Sequence, residues 1–417
     1  IAGGKGTAAS EPVWLPNGHL VFLWDRSGFD NLCLHEPGKR VRTLYVRSAD
    51  FGRPLWSLGN KSFAVHANGQ IGASYLERGE ARFGLIDAAS GELTPFALPL
   101  RSIEQVVAHG DGFMALATRD QAPPALIDIS LRSAPRVIRS ASPVALAKGM
   151  VARGRMLELE GSGGEPIHAL FYAPTNGLWQ APRDVRPPAI VFAHGGPTAA
   201  ADRGLKLKTQ YWTSRGFAVL DVDYSGSTGY GRAYRQRLEG QWGVRDVADM
   251  IAAADHLERE GLADGRKLII SGSSAGGYTV LMTLAQSGRF AAGSCSYGIS
   301  DLSLLLTHTH KFESGYLHRL MGTTPDDWRA VFAARSPLAL ADRITSPLIL
   351  FQGRDDKVVP PEQSRLISDR LMRAGVSTEY WEFDAEGHGF RRAGTVATVL
   401  ERELHFFTRV LKLRPMG

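Results

Sequence analysis

Leu268-Ile269-Ile270-Ser271-Gly272-Ser273-Ser274-Ala275-Gly276-Gly277-Tyr278 decides how the rest of this chain is read. A short apolar run ends in Gly272-x-Ser274-x-Gly276, and an apolar, helix-compatible segment, Tyr278 to Leu284, follows at once. Strand, tight turn and helix in that order is the context of a nucleophile elbow, in which the serine stands above the edge of a sheet. Flanking side chains would clash in so tight a turn, hence glycine on both sides. The helix behind the turn points backbone N–H groups at the place where an oxyanion forms. The bland alternative is a glycine-rich turn that happens to hold a serine. The strand before it and the helix after it argue for the elbow.

That strand has companions. From about Met156 onward, a hairpin (Met156 to Glu160, Ile167 to Tyr172) precedes buried-strand runs at Ala189 to Ala193, Phe217 to Val222, Lys267 to Ile270, Pro347 to Phe351 and Glu379 to Phe383. Between them, Val244, Val247, Ile251, Ala254 and Leu257 share one helical face, and Pro361 to Ala374 and Ala397 to Leu411 behave similarly. Near-continuous apolar strands alternating with helices predict a mostly parallel sheet covered by helices, an α/β-hydrolase architecture.

The chemistry is expected at the ends of these strands. A serine hydroxyl is a poor nucleophile at neutral pH, so Ser274 needs a base, and the base needs an orienting acid. In this fold they follow in the order serine, acid, histidine. Gly353-Arg354-Asp355-Asp356-Lys357 supplies two adjacent carboxylates, of which Asp356 is preferred to Asp355, with Asp301 as a third option. His388, in Glu386-Gly387-His388-Gly389-Phe390, is the candidate base, because small neighbours suit a loop that delivers an imidazole. His194-Gly195-Gly196-Pro197 directly follows a strand, where the fold keeps a second oxyanion donor. The backbone N–H of Gly195 or Gly196 is assigned that role beside the N–H of Ala275. His194 itself reads as a brace for the loop rather than a second base.

The N-terminal region has a different period. From about Glu11 to Ser142, short strands alternate with Gly/Asn/Asp turns, as in Leu20 to Trp24 before Asp25-Arg26-Ser27-Gly28, then Arg82 to Asp87 before Ala89-Ser90-Gly91-Glu92. The pattern makes roughly three repeats of about 40–45 residues, the length of a four-stranded propeller blade, with a sandwich as the alternative. Three blades cannot close a ring, because propellers use about 4–8. The expectation is therefore an incomplete propeller over 1–150, about three blades, followed by a catalytic domain over 151–417. Further blades are expected upstream of Ile1, on a separate fragment or lost by processing.

Bulk properties exclude little. The chain has 417 residues, 44% hydrophobic and 22% charged, with net charge +6. Its basic residues are scattered, which argues for a solvated surface and against a nucleic-acid face. No run approaches the roughly 18–20 apolar residues of a membrane span. Cys33 and Cys295 lie far apart and neither has a metal-ligand spacing, compatible with a reducing compartment. A cytoplasmic protein without metal or other cofactor is expected, although a lost targeting segment stays open. So does association with a missing propeller fragment or with further copies of the chain.

The set Ala193-His194-Gly195-Gly196-Pro197, Tyr224-Ser225-Gly226-Ser227-Thr228-Gly229-Tyr230-Gly231, Gly240-Gln241-Trp242-Gly243-Val244-Arg245-Asp246-Val247-Ala248-Asp249, the elbow itself and Glu386-Gly387-His388-Gly389-Phe390 resembles the prolyl oligopeptidase family. Within it the chain is most similar to the acylaminoacyl-peptidase and dipeptidyl-aminopeptidase branch, densely over about 150–417 and more loosely over 11–34. The resemblance implies a propeller capping a serine peptidase site that takes short peptides. It carries the triad onto Ser274, Asp356 and His388, Asp356 matching the family's Gly-x-x-Asp. Substrate contacts are expected from among Tyr224, Tyr297, Phe312, Glu313 and Tyr316. An esterase or small-molecule amidase with the same triad, and a propeller-based binding protein with a dead catalytic domain, are the rival readings.

Overall fold

A computed structural model describes residues 1–417 apart from 55, 57, 58, 148, 183, 309–314 and 414–417. The chain divides into two compact units. The first holds Ile1–Ala147 with two later stretches, Asp202–Leu207 and Ser227–Gln236; the second holds Lys148–Ala201, Lys208–Gly226 and Arg237–Gly417.

Among the described residues, the first unit contains three four-stranded antiparallel sheets, each a simple meander. They are β1 (Ala9–Trp14) to β4 (Arg42–Thr43), with β2 (Leu20–Trp24) and β3 (Asn31–His35) between; β5 (Phe63–Val65), β6 (Gln70–Glu77), β7 (Glu80–Asp87) and β8 (Leu93–Phe96); and β9 (Ser102–His109), β10 (Gly112–Arg119), β11 (Ala122–Ile129) and β12 (Arg136–Ser140). These are propeller blades. Sequence reading finds their central strands, β2, β3, β6, β7, β10 and β11, because those are short strand-like runs set between Gly/Asn/Asp turns. The outermost strands escape it: β4 has two residues, and β12 is exposed throughout.

The two later stretches join this unit through polar contacts. Gly231 N–H donates to Asp50 Oδ2 at 2.8 Å, and an Arg235 guanidinium nitrogen lies 2.9 Å from Asp25 Oδ2. Arg203 Nε donates to the Gly79 carbonyl at 2.8 Å, and its guanidinium also reaches the Tyr230 hydroxyl.

The second unit is built on an eight-stranded sheet. Its strands are β13 (Arg155–Glu160), β14 (Pro166–Tyr172), β15 (Ala189–Ala193), β16 (Ala218–Asp223), β17 (Leu268–Ser273), β18 (Ala292–Ser296), β19 (Leu348–Gly353) and β20 (Thr378–Phe383). They lie in the order β13-β14-β16-β15-β17-β18-β19-β20, parallel from β16 to β20, with β13 and β14 antiparallel at one edge. The helices are α1 (Leu207–Thr213), α2 (Gly231–Gln236), α3 (Arg245–Arg259), α4 (Ala275–Gln286), α5 (Leu302–His308), α6 (Tyr316–Met321), α7 (Trp328–Ala334), α8 (Pro361–Arg373) and α9 (Ala393–Val410). Of these, α2 lies within the first unit.

Successive strand residues face opposite layers, as a pleated sheet requires. Val191, Leu268, Ile270, Leu348 and Leu350 pack with Val247 and Met250 of α3 and Val280 of α4. Ile190, Ile269, Ile349 and Phe351 pack with Trp212 of α1 and Phe406 and Phe407 of α9. With both faces covered, the strands read as continuous apolar runs. β18 is the exception: Ala-Gly-Ser-Cys-Ser shows no such run. A Cβ on Gly293 would lie 2.6 Å from Leu284 Cδ1, so close packing of α4 demands small residues there.

Candidate active site

Ser274 ends the turn between β17 and α4 with φ 55° and ψ −123°. Positive φ is costly for a residue with a Cβ, so the surroundings must hold it. The glycines allow the necessary close approach: a Cβ on Gly272 would lie 2.4 Å from the Gly276 carbonyl oxygen, and one on Gly276 2.1 Å from that of Ala193. Ser274 N–H donates to the Ser296 carbonyl at 3.0 Å, tying the turn to β18.

Two loops at the C-terminal ends of neighbouring strands complete the row. His388, between β20 and α9, has Nε2 2.9 Å from Ser274 Oγ. Its Nδ1 lies 2.8 Å from Oδ2 of Asp356, which follows β19. The Asp356 carboxylate is buried and accepts besides from the N–H groups of Val358 and Val359, both at 2.9 Å, and from Gln352 Nε2 at 3.3 Å. A carboxylate so held is acceptor only, which puts the imidazole proton on Nδ1 and leaves Nε2 to accept from the serine hydroxyl. The competing carboxylates are placed elsewhere. Asp355 is exposed, and Asp301 Oδ1 accepts from the N–H groups of Ser303 and Leu304 at the start of α5.

α4 and the loop after β15 meet beside Ser274. The first N–H returned within α4 is that of Tyr278, to the Ser274 carbonyl at 3.0 Å, so the N–H of Ala275 belongs to the open end of the helix. Gly195 packs beside Ser274: a Cβ there would lie 3.7 Å from Ser274 Cβ. Gly196 has φ +123°, open to glycine only. The His194 ring stacks on Tyr224 with centroids 4.3 Å apart, its Nδ1 bonded to the Gly195 carbonyl at 2.8 Å.

The candidate substrate residues separate into different places. Tyr224 is fully buried and donates its hydroxyl to the His194 carbonyl at 2.8 Å. It therefore supports the glycine loop and presents no surface to a substrate, a correction to the sequence reading. Tyr297, at φ 39°, sets its ring edge-on to His388 at 4.9 Å and to Phe390 at 5.2 Å. The Tyr316 hydroxyl lies 2.7 Å from Thr198 Oγ1, just past the glycine loop. Phe312 and Glu313 lie outside the described residues. Among the described residues, no group of three or more His, Cys, Asp and Glu side chains could hold a metal ion, and no helix is long and apolar enough to cross a membrane. Cys33 and Cys295 are both buried and free.

Two acids were given no role by sequence reading. Asp246, on α3, is fully buried; its carboxylate accepts from the Gly243 N–H and from the Thr279 hydroxyl, both at 2.6 Å, bracing α4 from behind. Burial pushes its pKa up to about 6 against those two hydrogen bonds. The signal was an acid directly before Val247, the first buried residue of an apolar helical face. Glu386 is equally hidden, two residues before His388.

A mostly parallel sheet whose β17–α4 turn presents a serine to a carboxylate-held histidine defines a serine hydrolase of the α/β-hydrolase class. More closely, the chain belongs to the prolyl oligopeptidase family, which its residues 203–414 match. A puromycin-hydrolysing peptidase of Mycobacterium tuberculosis has a similar solved structure, 37% identical over all of this chain and 64% of that one, with a TM-score of 0.96. Dipeptidyl peptidase family member 6 of Caenorhabditis elegans is 31% identical over 209 residues, 49% of this chain and 28% of its own length. Dipeptidyl aminopeptidase BIII of Pseudoxanthomonas mexicana is 32% identical over 214 residues, 50% of this chain and 31% of its own length. The chain thus spans about a third or less of these two curated relatives.

Proposed function

We propose that this protein hydrolyses short peptides by acyl transfer through Ser274, as an aminopeptidase or acylaminoacyl-peptidase. The observation that carries this reading is the continuous hydrogen-bonded row from Ser274 Oγ through His388 to Asp356, at 2.9 and 2.8 Å. His388 takes the serine proton as Oγ attacks the scissile carbonyl. Asp356 holds the tautomer and stabilises the imidazolium. The N–H groups of Ala275 and of the Gly195/Gly196 loop receive the oxyanion. His388 then protonates the leaving amine, and water releases the acid. No step calls for a cofactor.

Peptide and amide substrates are supported by the similar chains, one named for dipeptidyl aminopeptidase activity and one for puromycin hydrolysis. The second name keeps a small-molecule amidase in view. Tyr316, Phe312 and Glu313 remain the substrate-wall candidates, and Tyr297 either shares that wall or supports the His388 ring it packs against. The domain reading likewise stands as part of this proposal, with 1–150 a partial propeller of about three blades and 151–417 catalytic. A cytoplasmic location is proposed on the same footing.

The test compares an aminoacyl p-nitroanilide bearing a free amine with its N-acetylated twin and with the matching p-nitrophenyl ester, using Ser274→Ala as the blank. Faster turnover of the free amine assigns an aminopeptidase; faster turnover of the acetylated anilide assigns an acylaminoacyl-peptidase. Turnover of the ester alone overturns the peptidase reading. A fluorophosphonate that labels the wild type but not Ser274→Ala assigns the nucleophile. Equal labelling of both removes it.

A further inference from the structure

Glu386 is a buried acid that the chemistry above does not use. Its residue is 2% exposed, yet both carboxylate oxygens are satisfied. Oε2 accepts from the Arg391 N–H at 2.9 Å and Oε1 from the Arg392 N–H at 3.0 Å. The Thr395 side chain adds a further hydrogen bond. Arg392 is the N-cap of α9, so the negative charge sits at the positive end of an 18-residue helix. Burial alone would raise this pKa, but the Arg391 N–H, the Thr395 hydroxyl and the Arg392 N–H outweigh it and hold the group below the ordinary glutamate range. It is therefore charged at neutral pH.

What the carboxylate encloses is the stretch 387–390, and His388 is in it. Gly387 and Gly389 form an isolated antiparallel bridge across the histidine, which keeps the loop narrow. The backbone of Glu386 faces the other way: its carbonyl accepts from the Asp355 N–H at 2.9 Å, one residue before Asp356. The fit is close, since a Cβ on Gly353 would lie 2.5 Å from that carbonyl oxygen. One residue thus fastens the histidine loop to α9 through its side chain and to the acid loop through its main chain.

We propose that Glu386 is a positioning residue, whose carboxylate clamp sets the His388 imidazole at hydrogen-bond distance from both Ser274 and Asp356. The proposal rests on the reading of Ser274 as nucleophile and His388 as base. A loop tied by two glycines has little stiffness of its own. Without the clamp, the ring's place depends on its hydrogen bonds to Ser274 and Asp356, the Tyr297 edge contact and the main-chain tie to Asp355. A misplacement of about 1 Å can cost about 10²-fold in rate.

The test is Glu386→Gln in the full chain, read against Glu403→Gln. Glu403 is an equally buried acid on α9, bonded to the Ser294 hydroxyl at 2.6 Å, with Lys208 Nζ 3.6 Å from its other oxygen. In Glu386→Gln an amide N–H₂ meets a backbone N–H donor, so one of the two bonds is lost. The expected result is a fall in kcat of about 10²-fold with KM little changed. Fluorophosphonate labelling slows in parallel, and the acid limb of the kcat/KM profile moves. Glu386→Asp, with the charge on a shorter arm, recovers part of the rate. Glu403→Gln lowers the melting temperature comparably and leaves kcat of the folded protein alone. A Glu386→Gln enzyme that matches Glu403→Gln in kcat per folded molecule, or that changes only in KM, overturns the positioning role while wild-type labelling keeps the nucleophile. A wild type that does not label at Ser274 overturns both.

Discussion

Ser274 combines a positive φ of 55° with contact to three groups that fix it: the Ser296 carbonyl, the His388 ring and the helix it begins. Tyr297 has a positive φ as well, 39°, and its ring closes one side of the same imidazole. Two strained non-glycine residues on either side of one histidine are the expected signature of a site whose geometry is held by its surroundings. A prediction at this scale separates support from substrate contact. Tyr297→Phe keeps the aromatic wall and should keep kcat. Tyr297→Ala should lower kcat by up to about 10²-fold with KM little changed, measured by steady-state kinetics on the preferred anilide. A raised KM at unchanged kcat would instead make Tyr297 a substrate contact. At this scale the sequence is explicit about the serine, acid and histidine, because each sits in a short pattern with a local cause. It is silent on Glu386 and on the place of Tyr224, because the turn that brings the Arg391 and Arg392 N–H groups back to Glu386, and the packing that gives the Tyr224 hydroxyl its acceptor at His194, form only in the fold.

At the scale of elements, α4 meets the β15 loop with no room to spare. Gly276→Ala would drive a Cβ into the Ala193 carbonyl oxygen, 2.1 Å away, and toward that of His194 at 2.7 Å. Both oxygens belong to backbone, so either α4 or the loop must shift. The expected outcome is a loss of about 1–3 kcal/mol by urea unfolding. With it, kcat should fall by about 10²–10³-fold if the proposed oxyanion donors, the N–H groups of Ala275 and of the Gly195/Gly196 loop, move apart. Gly288→Ala is the comparison, because nothing lies within 4 Å of a Cβ there, and it should change neither quantity. Strands and helices with strong apolar periods, β15, β17, β19, α3 and α8, are legible in the sequence. β18 is not, since its small residues record the nearness of α4 rather than any preference of their own.

At the scale of the whole molecule, the first unit gathers charges that are distant in sequence. Asp25, Asp30 and Asp50 are buried, with Arg232 and Arg235 from the later stretch beside Asp25 and Arg235 3.9 Å from Asp30. Burial, then the neighbouring Asp50, Asp25 and Glu11 charges, push the Asp30 carboxyl up to about 7, with Arg235 opposing. A folded-state pKa above the ordinary 3.8 means that the protonated form is the one the fold favours. The associated stability is fully present below pH 3.8 and is lost as pH rises through about 7. Asp30→Asn should remove that dependence. Between pH 5 and pH 8.5 the wild type should lose about 2–4 kcal/mol relative to Asp30→Asn in denaturant unfolding. Equal slopes for the two proteins would contradict it.

By itself the sequence determined the local parts of this protein. The elbow, the short patterns around Ser274, Asp356 and His388, the buried parallel strands and the central blade strands each follow from neighbours a few residues apart, where steric limits and hydrophobic period act directly. The tertiary structure alone decided the rest. It joined Asp202–Leu207 and Ser227–Gln236 to the first unit, turned Tyr224 inward beneath the glycine loop, and closed the Glu386 carboxylate over the loop that bears His388. The first two depend on partners far apart in the chain, as when the Tyr224 hydroxyl finds the His194 carbonyl, whereas Glu386 is satisfied by the nearby Arg391 and Arg392 N–H groups once the loop has turned back onto α9.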